Sequence, residues 1–192
     1  MLCALFAALI AICSQIMIPL PFTPVPINLA LLAVWVCGGT LGAKRGAIAV
    51  IVYILLGAIG APVFVGFQGG LGILSGPTGG YIAGYLPAVV VIGLLYRNAF
   101  FPGKNNPARA GDNAARGWKA AAGIFLSIAK GLPALIVCYA LGTAWFIILT
   151  GMGLGAALLM CVAPFVPGDI LKLAAAALIC EALRKPMRAL YR

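Results

Sequence analysis

An acidic and a basic residue stand three positions apart at the start of the last apolar run of the sequence. Asp169 and Lys172 follow Phe165-Val166-Pro167-Gly168 and share one face of a predicted helix. Ionisable side chains inside a membrane span are costly and by default mark a function. A helix N-cap would explain Asp169, but the helix dipole disfavours a cation such as Lys172 in a first turn. The pair therefore favours a ligand contact over a helix cap.

A glycine-rich stretch at residues 63–79 is the second candidate for chemistry. It contains Gly66-Phe67-Gln68-Gly69-Gly70 and continues as Gly76-Pro77-Thr78-Gly79-Gly80-Tyr81. Glycine lets the backbone approach a ligand closely and adopt positive φ angles. The stretch carries no charge, which suits a lid over a pocket, although an ordinary flexible loop is the alternative. No Gly-Lys-Ser/Thr follows, so it is not a phosphate-binding loop.

Most catalytic and metal chemistries are excluded by composition. The chain contains no histidine and only three acidic residues, and histidine is the commonest general base and metal ligand. The six cysteines are scattered through apolar runs without a C-x-x-C pair, which is typical of small buried hydrophobic side chains. The segment Gly151–Gly155 loosely fits a dinucleotide fingerprint but has no preceding strand. We expect no catalytic residue, no metal site and no resident cofactor.

The overall composition is that of a membrane protein. Of the 192 residues, 64% are hydrophobic and 8% are charged, and the mean hydropathy is +1.15. Soluble globular chains are nearer a quarter charged, so a soluble enzyme is excluded. The apolar start at Leu2 lacks a basic n-region and is interpreted as a retained helix rather than a signal peptide.

Six apolar runs predict six transmembrane helices, an all-α fold in a single transmembrane domain over residues 1–192. The predicted spans cover about residues 2–18, 27–43, 46–60, 80–96, 120–141 and 169–183. Each span needs roughly 20 residues to cross the hydrocarbon core. Proline or basic residues follow most of the runs. A further short helix is expected near residues 154–162.

The net charge of +10 is mainly a topology signal. Eleven of the thirteen basic residues lie in 44–45, 97–119 and 184–192, which alternating spans place on one side. The positive-inside rule makes that side, and both termini, cytoplasmic in the cytoplasmic membrane. The charge therefore needs no nucleic-acid partner. Lys130 is not explained by this pattern, because it falls near the middle of the fifth predicted span.

Small residues recur at four-residue spacing in the first predicted span. Ala4 with Ala8 forms one such pair, and Ala7 with Ala11 forms another. Pairs of this kind permit close helix contact in lipid. In an alanine-rich chain the spacing also arises by chance.

Taken together, the landmarks of the chain resemble the BioY family, the biotin-specific substrate-binding (S) component of energy-coupling-factor (ECF) vitamin transporters. The matching landmarks, highly specific in their order and spacing, run through most of the chain. They are Pro24-Val25-Pro26-Ile27, Leu41-Gly42 before Lys44-Arg45-Gly46, the run from Leu55 to Phe64, Gly76-Pro77-Thr78-Gly79-Gly80-Tyr81 and Pro167-Gly168-Asp169-Ile170-Leu171-Lys172.

The resemblance implies an S-component fold that binds biotin from outside as the transported ligand. It also implies a transmembrane coupling (T) component and two ATP-binding-cassette ATPase subunits as partners, within the lipid bilayer. An S component for a different vitamin or small organic solute is the alternative. We hypothesise that the stretch at 63–79 closes over the ligand, and that Phe67, Tyr81 and Leu71 cover its apolar ring.

The resemblance further implies which residues bind the ligand and which contact the coupling component. The family's ligand contacts map onto Asp169, Lys172 and Gln68, with Tyr81 and the neighbouring glycines lining the pocket. Where the family often has glutamine this chain has Ala30, and Asn28 is the nearby polar residue. The predicted substrate-binding set is Asn28, Gln68, Gly69, Gly70, Tyr81, Asp169 and Lys172. Family members use alanines of the first span to dock on the coupling component, so the predicted interface is Ala4/Ala8 or Ala7/Ala11.

Overall fold

The computed structural model describes the backbone of residues 1–100 and 116–190 and the side chains of residues 1–96 and 128–183. The basic side chains of 97–119 and 184–192, and the backbone of residues 101–115, therefore lie outside the described residues. The described elements are predominantly helical, which confirms the all-α prediction. They are α1 (Leu2–Gln15), β1 (Met17–Ile18), β2 (Ile27–Asn28), α2 (Ala30–Ala58), α3 (Leu71–Leu74), α4 (Gly79–Phe100), α5 (Arg116–Thr150), α6 (Leu154–Cys161) and α7 (Val166–Leu190).

The first helix ends earlier than predicted. It stops at Gln15 rather than at residue 18, and Ile16 takes an extended conformation with φ −80° and ψ 93°. A residue that precedes proline avoids the helical region, so the chain is already extended at Ile18 before Pro19. Strands β1 and β2 then pair antiparallel, with Met17 opposite Asn28. This short ladder holds the loop at 19–26 over one end of the helices.

Helix α2 contains a chain reversal at Gly42. This residue has φ 77° and ψ 175°, a combination that is essentially restricted to glycine. A Cβ atom placed on Gly46 would lie 3.4 Å from the Cα atom of Gly38, whereas eight residues of straight helix span about 12 Å. Residues 30–41 and 43–58 therefore lie side by side. They correspond to the predicted spans 27–43 and 46–60, with the break two residues before Lys44-Arg45.

Among the described helices, α4 and α5 are long and apolar enough to cross a membrane, and α2 meets the same length and hydropathy criteria over its two halves taken together. Helices α6 and α7, which are bent by 49° at the break between them, qualify as a fourth span when they are taken together. Helix α1 is apolar but has only 14 residues. The molecule is thus suited to a membrane, while the count of six spans stays a prediction.

The hairpin of α2 forms the centre of the packing. It contacts α1, α4 and α7, and α4 packs in turn against α5. Helix α4 approaches the hairpin closely at Gly93, where a Cβ atom would lie 2.2 Å from the backbone nitrogen of Ala43. A small residue is needed at such a helix contact.

Helix α5 extends to Thr150, well beyond its predicted end at residue 141. Lys130 lies 20 residues before Thr150, which corresponds to about 30 Å of helix, the thickness of a bilayer core. Because α5 also extends 14 residues before Lys130, to Arg116, the position of Lys130 within the span stays a prediction. The side chain of Lys130 is half-buried.

Candidate ligand-binding site

A cavity of about 290 Å³ lies between one end of the helices and the loop at 19–26. Its volume is at the lower end of the range for small-molecule sites, roughly 300–1,000 Å³. Five parts of the chain form most of its wall. They are residues 17–28 of the β1–β2 hairpin, Leu31 and Tyr53 of α2, the glycine-rich part from Phe64 to Ile73, residues 78–85 at the start of α4, and residues 138–139 of α5. Cys161, Phe165, Asp169 and Lys172, at the α6–α7 break and in the first turns of α7, complete the wall.

The charged side of this cavity consists of Asp169, Lys172 and Tyr139. Nζ of Lys172 lies 2.6 Å from Oδ1 of Asp169, and the hydroxyl of Tyr139 donates a 2.5 Å hydrogen bond to Oδ2. Asp169 and Lys172 are only 3% and 8% exposed. Both carboxylate oxygens are therefore held in place by donors, one from the same helix and one from α5.

Asp169 is not an N-cap. Helix α7 begins at Val166, and the backbone N–H of Asp169 already donates to the carbonyl of Phe165 at 2.8 Å. The carboxylate accepts its hydrogen bonds from the side chains of Lys172 and Tyr139. Since the cap alternative is not what the structure shows, the buried pair needs another explanation, and its position on the cavity wall provides one.

Aromatic side chains form much of the remaining wall. Tyr53 and Phe64 meet edge to face with ring centroids 5.6 Å apart, a favourable arrangement for aromatic rings. Tyr81 and Tyr85 stand four residues apart on α4 and both line the cavity. The hydroxyl of Tyr81 donates to the carbonyl of Cys161 at 3.2 Å, which connects α4 to the end of α6.

The glycine-rich segment positions two cavity residues through close backbone contacts. Phe64 N–H donates to the carbonyl of Gln68 at 2.9 Å, and Gly70 N–H donates to the carbonyl of Gly57 at 2.6 Å. A Cβ atom on Gly69 would lie 2.4 Å from the carbonyl oxygen of Ala61. These contacts press the segment against the end of α2 and place Phe64 and Gln68 on the cavity wall.

Comparison with known proteins decides the family. The model of the BioY family matches residues 1–189. The chain belongs to the BioY family. A protein named biotin transporter BioY from Rhizobium etli is 36% identical over 183 residues, which cover 95% of this chain and 90% of that protein. The biotin transporter BioY of Thermotoga maritima is 36% identical over 181 residues, which cover 94% of this chain and 92% of that protein.

A solved structure supports the same assignment. The crystal structure of the S-component for biotin from an ECF-type ABC transporter aligns with a TM-score of 0.77 and 28% identity. The alignment covers 96% of this chain and 89% of that chain. The predicted S-component fold is confirmed.

In this BioY-family chain the structure brings five of the seven predicted binding residues to the cavity. They are Asn28, Gln68, Tyr81, Asp169 and Lys172. The cavity wall does not include Gly69 or Gly70, which shape the backbone beside it.

Phe67 and Leu71 were expected to cover a ligand ring, but they are 72% and 70% exposed and lie outside the cavity wall. Asn28 also has a structural role, since its Oδ1 accepts a hydrogen bond from the N–H of Ala30 at 3.0 Å.

Sequence reasoning about this BioY-family chain missed Tyr139, Tyr85, Tyr53 and Phe64. The spacing of Tyr81 and Tyr85 was a usable signal, because residues four apart share a helix face. Tyr139 had no such signal, since its partner Asp169 is 30 positions away. In the described part of the chain, no three His, Cys, Asp or Glu residues are grouped so that they could hold a metal ion.

Proposed function

We propose that this chain is the substrate-binding subunit of an ECF-type transporter and that it captures biotin in the cavity at Asp169. The observation that supports this most strongly is the buried Asp169–Lys172 pair, with Tyr139 on its second carboxylate oxygen. The pair faces a vitamin-sized cavity whose other walls are largely aromatic and apolar. Buried charges are expensive unless paired, and a polar ligand that uses this pair is the simplest reason for them.

The hydrogen-bonding capacity of the charged side matches the polar groups of biotin. The ureido ring of biotin offers two N–H donors and one carbonyl acceptor. The carboxylate of Asp169 accepts two hydrogen bonds in the free protein and has lone pairs left for ligand N–H groups. Lys172 uses one of its three N–H groups on Asp169 and keeps donors for the ureido oxygen or the ligand carboxylate.

The rest of the cavity suits the remaining parts of biotin. The amide of Gln68 can donate or accept, so it can pair with either kind of ligand group. The sulfur-containing ring and the aliphatic tail are apolar, and Phe64, Tyr53 and Tyr85 offer them aromatic surface. A site of this kind penalises analogues that leave its buried polar groups unpaired, which is how the pocket would select biotin.

The exposure of α1 supports one docking pair over the other. Ala4 and Ala8 are exposed, whereas Ala7 is buried and Ala11 is half-buried. We therefore assign Ala4 and Ala8 to the contact with the transmembrane coupling component, because small residues let two helices approach closely. ATP hydrolysis is assigned to two separate ATPase subunits.

Charge distribution supports a cytoplasmic position for both termini. Eleven of the thirteen basic residues lie in 44–45, 97–119 and 184–192, and basic connections stay in the cytoplasm. Green fluorescent protein fused after Arg192 should fluoresce, and alkaline phosphatase at the same position should be inactive. Active phosphatase at this position would contradict the orientation.

The glycine-rich stretch at 63–79 is assigned the role of closing over bound biotin. Its residues Phe64 and Gln68 already line the cavity, so a small movement there changes access. A crosslink that holds this stretch shut should trap bound biotin. Free exchange of labelled biotin in the crosslinked protein would rule out gating by this stretch.

Calorimetric titration of the purified protein with biotin tests the function itself. We expect saturable binding by the parent protein, loss of at least tenfold in affinity for Asp169→Asn and for Lys172→Ala, and competition by desthiobiotin but not by thiamine or riboflavin. Unchanged binding in both variants would show that the site is wrong. Tighter binding of thiamine or riboflavin than of biotin would favour the alternative, an S component for another vitamin.

A further inference from the structure

Ser14 and Gln15, at the end of α1, form hydrogen bonds with the backbone of the segment at 63–68. Oγ of Ser14 lies 2.6 Å from the carbonyl oxygen of Val63. Nε2 of Gln15 donates to the carbonyl of Phe64 at 3.0 Å, and Oε1 of Gln15 accepts from the N–H of Phe67 at 2.8 Å. A single amide thus satisfies two backbone groups about fifty residues away.

The two contacts of Gln15 are complementary. The carbonyl of Phe64 needs a donor and the N–H of Phe67 needs an acceptor, so only one orientation of the amide serves both. Neither Leu nor Ala at this position could replace either bond. The side chain of Gln15 therefore fits this segment specifically, although it does not reach the cavity wall itself.

The segment that Gln15 holds is strained and lines the cavity. Phe67 has φ 57° and is the one non-glycine residue with positive φ among those the structure describes. Such a conformation persists only where its surroundings enforce it, and the bond from Gln15 to the Phe67 N–H does so. On either side of this bond, Phe64 and Gln68 are bridged to each other and face the cavity.

We propose that Gln15 is a positioning residue for ligand binding, which acts by holding the segment at 63–68 so that Phe64 and Gln68 face the ligand. The assignment rests on the proposed function, in which biotin occupies this cavity. It gives α1 a direct connection to the binding site that does not pass through the packed core. Ser14 supports the same segment through Val63, one residue before Phe64.

The test compares Gln15→Leu with Thr150→Ala in calorimetric titrations with biotin. Thr150 makes a similar side-chain bond to a backbone carbonyl, that of Phe146, but lies outside the cavity wall. Gln15→Leu removes both hydrogen bonds to the segment at 63–68, together with those to Ala11 and Ser14 within α1, and should weaken biotin binding about tenfold. Thr150→Ala should bind as the parent does. Parent-like binding by Gln15→Leu would overturn the proposal.

A double-mutant cycle with Gln68→Ala separates positioning from general damage to the fold. If Gln15 acts through the segment, Gln15→Leu should weaken binding much less in the Gln68→Ala background than in the parent. Fully additive losses would overturn the proposal. Hydrogen exchange should also speed up in the peptide 63–68 of Gln15→Leu without ligand, and unchanged exchange there would count against it equally.

Two outcomes keep this proposal distinct from the proposed function. Failure of the parent protein to bind biotin defeats the proposed function, whereas binding by the parent with no effect of Gln15→Leu defeats only the role of Gln15. If Gln15→Leu does not fold, Gln15→Glu replaces it, because it keeps an acceptor for the N–H of Phe67 and loses the amide donor that serves Phe64, Ala11 and Ser14. Parent-like biotin affinity and exchange in Gln15→Glu would then overturn the proposal.

Discussion

The hydroxyl of Tyr139 on α5 donates a 2.5 Å hydrogen bond to Oδ2 of Asp169 on α7. Lys172 occupies the other carboxylate oxygen from within α7. The carboxylate is therefore oriented by two helices before any ligand arrives. Preorganised polar groups lower the cost of binding, since little ordering remains to be done when the ligand enters.

Removing the Tyr139 hydroxyl should destabilise the free protein and weaken ligand binding. Tyr139→Phe keeps the ring but leaves Oδ2 of Asp169 without this donor, which costs about 1–3 kcal/mol of unfolding free energy for a buried group. Biotin affinity should fall about tenfold, because the carboxylate is no longer held in one orientation. Thermal unfolding and calorimetric titration measure the two effects. A variant with parent-like stability and affinity would show that this hydrogen bond is dispensable.

The structural role and the binding role of the Asp169–Lys172 pair can be tested separately. Asp169→Asn or Lys172→Met alone leaves one buried charge unpaired, which typically costs 3–5 kcal/mol. The double variant Asp169→Asn/Lys172→Met leaves no buried charge and should recover most of the lost stability, but not biotin binding. Denaturant unfolding in detergent and titration with biotin check this. Recovery of binding together with stability would mean that the pair serves the fold alone.

The reversal in α2 should depend on glycine at position 42. Gly42→Ala forces an L-residue into φ 77° and ψ 175°, which costs about 1–3 kcal/mol. Gly72→Ala is the matched control, because its added Cβ meets nothing within 4 Å and its φ is not positive. The free energy of unfolding should fall in Gly42→Ala and stay near the parent value in Gly72→Ala. Equal stability of both variants would contradict the role of Gly42.

The two alanine pairs of α1 should respond differently to a larger side chain. Ala7 is 2% exposed, so Ala7→Leu overpacks the core and should lower the unfolding free energy by about 1–3 kcal/mol. Ala8 is exposed, so Ala8→Leu should leave stability and biotin binding unchanged while it blocks co-purification with a co-expressed coupling component. Normal assembly by Ala8→Leu would argue that docking uses another surface.

Local patterns predicted the Asp169–Lys172 part of the candidate site because they depend on chain neighbours, whereas Asn28, Gln68 and Tyr81 were predicted from the family resemblance. The spacing of Asp169 and Lys172 guarantees a common helix face, and the structure pairs them at 2.6 Å. The apolar runs predicted most helices to within a few residues. Their ends were less predictable: α1 stops at Gln15 because Pro19 follows an extended segment, and α5 continues to Thr150.

Contacts between distant residues were beyond local patterns. Tyr139 reaches Asp169 across 30 positions, and Gln15 reaches Phe67 across 52. Neither amino-acid composition nor hydrophobic periodicity predicts these two hydrogen bonds, because both bonds depend on how helices and loops pack in the folded chain. The same packing directs Phe67 and Leu71 away from the cavity although both lie in the predicted lid.

The sequence by itself predicted a membrane protein with Asp169 and Lys172 on one helix face, and it showed a resemblance to the family to which the chain belongs. Hydropathy, charge placement and short-range spacing are properties of the chain, so they can be read without a fold. Only the tertiary structure decided that Ala4 and Ala8 are the exposed pair, that Tyr139 holds Asp169, and that Gly69 and Gly70 lie beside the cavity rather than on its wall. These outcomes depend on which faces the helices bury against one another, and a repeating pattern of alanines or glycines is compatible with several such arrangements.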